Sequence, residues 1–122
     1  MICYKVCVNY TGINYSLAVL NKQYRLTYEL NKPTIAPIGG ICVFKDLQSI
    51  RAIPYLQADM NLTYFECKCV DRVSTKKYRY NGKILFEENS LYQPAYGSWP
   101  KGTRLFKKVI PIRQLTFEQV WS

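Results

Sequence analysis

Two sets of residues in this chain have the types and spacing to do chemistry. The first is basic and aromatic: Lys76, Lys77, Tyr78, Arg79, Tyr80 and Lys83 flank an Asn81-Gly82 pair, and Lys101, Arg104, Lys107, Lys108 and Arg113 follow near the C-terminus. Lysine and arginine take phosphates, tyrosine stacks on bases, and a two-stranded ribbon fits a groove, so this set points to nucleic acid or another polyanion. An overall charge of +9, from 17 basic and 8 acidic side chains, steers anionic partners in the same direction. The competing reading is an ordinary strand edge, where lysine discourages edge-to-edge aggregation.

The second set is five cysteines, Cys3, Cys7, Cys42, Cys67 and Cys69. Zinc needs its thiolates within roughly 4 Å of one another, whereas Cys3 and Cys7 on one strand lie about 13 Å apart. With no Cys-x-x-Cys pair, no metal is expected, and the cysteines read as small buried residues of a sheet. Histidine is absent, which removes Ser-His-Asp and Cys-His nucleophile pairs and imidazole metal sites. Glu87 and Glu88 are adjacent on a strand and face opposite sides, so they make no acid/base couple. Gly39-Gly40 lacks the Gly-Lys-Ser/Thr or third glycine of a nucleotide loop. No catalytic residue and no cofactor is therefore expected.

These candidates need a scaffold to position them. At 122 residues, with 48% hydrophobic and 20% charged, the chain predicts a single globular domain over 1–122. Ile2 to Val8 alternates as a strand, with Ile2, Tyr4, Val6 and Val8 on one face and Cys3, Lys5 and Cys7 on the other. Asn9 to Asn14 reads as a turn, Tyr15 to Leu20 and Tyr24 to Leu30 as strands, and Asn31 to Gly40 as a loop. Ile41 to Phe44 is a buried strand. Asp46 caps the one main helix, to Ile53, which Pro54 limits. Leu62 to Val70 is a strand with Thr63, Phe65, Cys67 and Cys69 on one face. Asn81-Gly82 suits a type I′ turn pairing Tyr80 with Lys83, Arg79 with Ile84, Tyr78 with Leu85 and Lys77 with Phe86, so that Glu87 faces Lys76. A loop from Tyr92 to Gly102 leads to a last strand, Arg104 to Ile112, and then to a short helix or docked tail at Thr116 to Trp121. The expected fold is α+β, a bent, mostly antiparallel sheet with one main helix and a projecting hairpin.

The order Tyr4-Lys5-Val6, Tyr15-Ser16-Leu17, Tyr24 to Tyr28 and Gly39 to Phe44 before a helix, with Trp99-Pro100-Lys101-Gly102-Thr103 later, resembles small uncharacterised proteins of phages and large DNA viruses. That resemblance implies a viral accessory protein. A more distant likeness runs to the ADP-ribosyltransferase-like fold and implies an NAD pocket lined by Ser16, Tyr24 or Tyr28 and Phe44, with Glu66 orienting the ribose. That family's Arg or His on the first strand is replaced here by Tyr4 or Lys5, which implies an inactive relative.

The expectation is thus a non-enzymatic accessory protein binding nucleic acid or a similar polyanion. The alternatives are an NAD- or nucleotide-binding protein, and an assembly protein that self-associates through tyrosine-rich edges. An odd cysteine count and an N-terminus without a signal pattern place it in a reducing, cytoplasmic setting. No apolar run approaches a membrane span, so no membrane partner is expected.

Overall fold

The computed structural model describes residues 1–16, 25–36, 40–59, 61–73, 77–80, 83–87 and 102–122. In chain order the elements are β1 (Ile2–Tyr10), β2 (Ile13–Ser16), β3 (Thr27–Tyr28), β4 (Thr34–Ile35), β5 (Ile41–Phe44), α1 (Leu47–Arg51), α2 (Pro54–Gln57), β6 (Leu62–Arg72), β7 (Lys77–Tyr80), β8 (Lys83–Glu87), β9 (Thr103–Leu115) and α3 (Phe117–Trp121). The result is a small, sheet-rich fold in which every strand pair is antiparallel.

The bend goes further than the sequence suggests. β1 pairs with β6 and β5, and β9 also pairs with β6 and β5, so four strands close into a ring. β2 and β3 extend from β1, and β4 lies on β9. Thr34 Oγ1 donates to the Thr27 carbonyl at 2.8 Å and ties β4 to β3. Closure of this kind removes exposed edges.

The ring encloses one core of Cys3, Cys7, Tyr28, Ala36, Ile41, Val43, Phe65, Cys67, Cys69, Phe106 and Val109. A second core lies on its outer side, where Val6, Tyr64 and Leu115 of the sheet meet Ile50, Ile53 and Leu56 from the α1–α2 segment and Val120 of α3. β1 therefore buries both of its faces: Cys3, Lys5 and Cys7 point inward, while Val6 packs under the helices and Tyr4 lies against the same outer core.

The single main helix becomes two short ones. Asp46 caps α1 through its Oδ1, which accepts from the Ser49 amide at 2.8 Å and the Ser49 hydroxyl at 2.6 Å. Those hydrogen bonds hold the Asp46 carboxyl below the usual carboxylate range. Pro54 ends that helix and opens α2 at its first turn, where a missing N–H costs nothing. The C-terminal segment is a helix, α3, closed by a capping box in which Thr116 Oγ1 accepts from the Gln119 amide and Gln119 Oε1 accepts from the Thr116 amide. Trp121 Nε1 donates to the Tyr64 hydroxyl at 3.0 Å, which donates to the Leu56 carbonyl at 3.5 Å, joining α3, β6 and α2.

Other boundaries also shift. The loop over 31–40 contains β4, the 15–20 strand begins at Ile13, and the last strand runs on to Leu115. In the β7–β8 hairpin Tyr80 faces Lys83 and Arg79 faces Ile84 as expected. A bulge between Tyr78 and Arg79 then pairs Tyr78 with Phe86 and Lys77 with Glu87, one position away from the regular register. The Asn81-Gly82 turn lies outside the described residues, as do 17–24 and most of the 92–102 loop.

Candidate polyanion-binding face

β6 and β9 together carry six basic side chains and two acidic ones. Cross-strand register fixes which share a face. Lys68 stands opposite Ile2 on one side and Ile110 on the other. Two residues further along β6, Val70 stands opposite Lys108, which stands opposite Ile35 of β4. Because side chains alternate along a strand, both rows lie on the outer face, beyond the part the helices cover, with Lys68 and Lys108 as diagonal neighbours. Lys68 is exposed and Lys108 half-buried, with exposed Arg72 and Lys107 at the same end. Among the described residues none of these four makes an ion pair.

Arg113 behaves differently. Its guanidinium meets the Glu66 carboxylate at 3.3 Å, on the row between the lysines and the helix-covered core. It is thereby partly neutralised. A bulge after Glu66 inserts Ile112, which is left 40% exposed. The face that results is basic and aliphatic, suited to phosphate contact through lysine with the stems lying on isoleucine and valine.

Of the residues singled out from sequence, Lys108 is brought to this face, while Lys107, its neighbour along β9, is exposed but alternates to the other side of the strand. Arg104 is not brought there: it stands opposite buried Val43, is itself half-buried, and donates through Nη1 to the Thr103 carbonyl at 2.9 Å. Lys77, Tyr78, Arg79, Tyr80 and Lys83 lie on the separate two-stranded sheet of β7 and β8. Lys76 and Lys101 lie outside the described residues. Lys68 and Arg72 stand outside the dense basic runs of the sequence; the alternation of β6, which sets Lys68 opposite to Cys67 and Cys69, is the signal that marks Lys68.

The residues implied by the ADP-ribosyltransferase likeness do not line one cavity. Ser16 and Tyr28 meet inside the ring, hydroxyl to hydroxyl at 3.4 Å. Phe44 packs with the outer core, and Glu66 is outside on Arg113; Tyr24 is outside the described residues.

The ring also holds an unexpected cation. Lys5 is 5% exposed, donates to the Cys42 carbonyl at 2.8 Å and lies 5.3 Å from the centre of the Tyr28 ring. Burial is the largest influence on its ammonium and acts to lower the pKa, while Tyr28, Cys7, Cys42 and Cys67 carry the net displacement upward once they are anionic. Near neutrality Tyr28, Cys7 and Cys67 are protonated, since burial raises Tyr28 and pushes Cys7 and Cys67 up to about 12. A carbonyl and a ring face are then what hold the charge.

All five cysteines are buried, and none is in a disulfide. Among the described residues no group of three or more acidic or sulfur side chains could hold a metal ion, and no helix is long and apolar enough to cross a membrane. Comparison with protein-family models, curated proteins and solved structures gives no match.

Proposed function

We propose that this protein is a non-enzymatic accessory protein that binds nucleic acid through phosphate contacts on the outer face of β6 and β9. The observation that carries this reading is the diagonal placement of Lys68 and Lys108 on a face the helices leave uncovered. Among the described residues that face has no aromatic ring, so contact is with the backbone and indifferent to base sequence. Lys77, Arg79 and Lys83 of the β7–β8 hairpin add to the overall charge of +9 that steers an anionic partner. Buried thiols outside any disulfide suit work in a reducing compartment such as the cytoplasm.

Fluorescence anisotropy with a labelled oligonucleotide tests this. Affinity is expected to fall steeply with salt and by about tenfold or more in Lys68→Glu/Lys108→Glu, with a shallower salt slope. The triple reversal of Lys77, Arg79 and Lys83 is expected to weaken binding as well. Absent or salt-independent binding overturns the reading.

A second reading, self-association through the same face, is favoured by the exposure of Ile2, Ile35 and Ile112. Sedimentation at several concentrations separates the two: a dimer that persists in high salt, without oligonucleotide binding, supports assembly.

A further inference from the structure

Two hollows adjoin at the end of the ring where β6 begins and β9 ends. One, of about 300 Å³, lies among Leu62 and Tyr64 of β6, Leu115 of β9 and Phe117 of α3, with Asp59 on its rim. The other, of about 240 Å³, lies between the β1–β2 turn and β3, over Tyr28 and Phe65. Gln114 lines both, and Ile13, Leu30 and Phe117 stand exposed in their walls. We infer that this groove receives the β7–β8 hairpin of a second copy of the chain.

Charge selects that partner. In a chain of net charge +9 the groove is locally acidic. Asp59 and Glu118, the neighbour of Phe117, are both exposed, and among the described residues neither is in an ion pair. Lys32 and Arg113, the basic residues near the groove, are taken up by Glu29 and Glu66. Such a rim repels phosphate and favours an apolar segment that carries a cation.

The hairpin has that chemistry. β7 and β8 form a two-stranded sheet of their own, hydrogen-bonded to none of the other strands. Its register places Tyr78, Tyr80, Lys83 and Phe86 on one face of the ribbon, three aromatic anchors and one cation. Aromatic residues are favoured where a contact is fully desolvated, and Lys83 supplies the counter-charge for Asp59. A chain's own hairpin sets out from the wrong end. Val73, whose amide donates to the Leu105 carbonyl at 3.0 Å, follows the far end of β6. It stands roughly 26 Å along the strand from Phe65. A second copy approaching end to end brings its hairpin to the groove directly. The contact is separate from Lys68 and Lys108 and needs no nucleic acid.

Sedimentation equilibrium of the full chain at several concentrations, without oligonucleotide, tests this. The wild type is expected to self-associate reversibly as concentration rises. Asp59→Lys and Lys83→Asp are each expected to raise the dissociation constant about tenfold or more, and the two together to restore association. Phe117→Ser in the groove and Tyr80→Ser on the hairpin are expected to weaken it likewise, whereas Ile112→Ser, on the β6–β9 face, leaves it intact. A monomer at every concentration overturns the inference. So does association that survives Asp59→Lys, that the double exchange fails to restore, or that depends on Ile112. Asp59→Lys is expected to bind oligonucleotide at least as well as the wild type, so failure of this contact and failure of the nucleic-acid reading are separately visible.

Discussion

The two cores of this protein are built on opposite sides of the same strands and differ in kind. The outer core is aliphatic and aromatic, Val6, Ile50, Leu56, Leu115 and Val120 with Tyr64, and its polar atoms are joined in the Trp121–Tyr64–Leu56 chain of hydrogen bonds. The inner core mixes two phenylalanines and Tyr28 with small sulfur residues and one enclosed ammonium, Lys5. A narrow ring has room for cysteine and alanine where a helix–sheet layer takes leucine and isoleucine, so closure, more than hydropathy, sets what the inner positions hold.

Substitutions can break that contrast, and the largest effect belongs to the ring. Phe65→Ala leaves a cavity the closed strands cannot collapse into, and is expected to cost about 3–5 kcal/mol in chemical denaturation. Ile50→Val under the helices is expected to cost about 1 kcal/mol, and equal losses would mean the ring is no stiffer than the helix layer. Where the two regions meet, Gly102 has φ +90°, and a Cβ there would lie 2.0 Å from Ser49 Oγ. Gly102→Ala is expected to cost about 2–3 kcal/mol, read in the same denaturation.

Lys5→Met sharpens the contrast by its sign. Removing an enclosed charge held by one carbonyl and one ring is expected to leave the melting temperature unchanged or raise it, by up to about 2 kcal/mol of stability. A large loss would show that the ammonium organises the ring. Thr116→Ala, which removes the α3 capping box, is expected to cost about 1 kcal/mol.

The smallest effect is that of pH at Asp46. Its carboxyl titrates below the ordinary range in the folded chain, so its contribution is present above the unfolded value and is lost as pH falls through the folded one. The stability gap between the wild type and Asp46→Asn is therefore expected to close below about pH 4; a gap that widens in acid would contradict the assignment.

Alternation made the strands at Ile2 and Leu62 legible, and with them the inward set Phe65, Cys67 and Cys69; a short, fully apolar run marked the strand at Ile41. Asp46 and Pro54 were read for the right physical reasons, yet Pro54 does two things at once: it stops one helix and starts another. Ring closure was not legible, because it rests on β1–β5 and β5–β9 pairings between residues far apart in sequence. Nor was the enclosure of Lys5: alternation puts it on the face of Cys3 and Cys7, but only closure of the ring buries that face. The proposed face was half legible: Lys108 stands in a basic run, whereas Lys68 joins it only through the register of β6 on β9.

Because β1 feeds side chains to both interiors, melting either one strips support from the other. Amide exchange in β1, β6 and β9 should accordingly report a single shared opening, with protection lost together along all three strands.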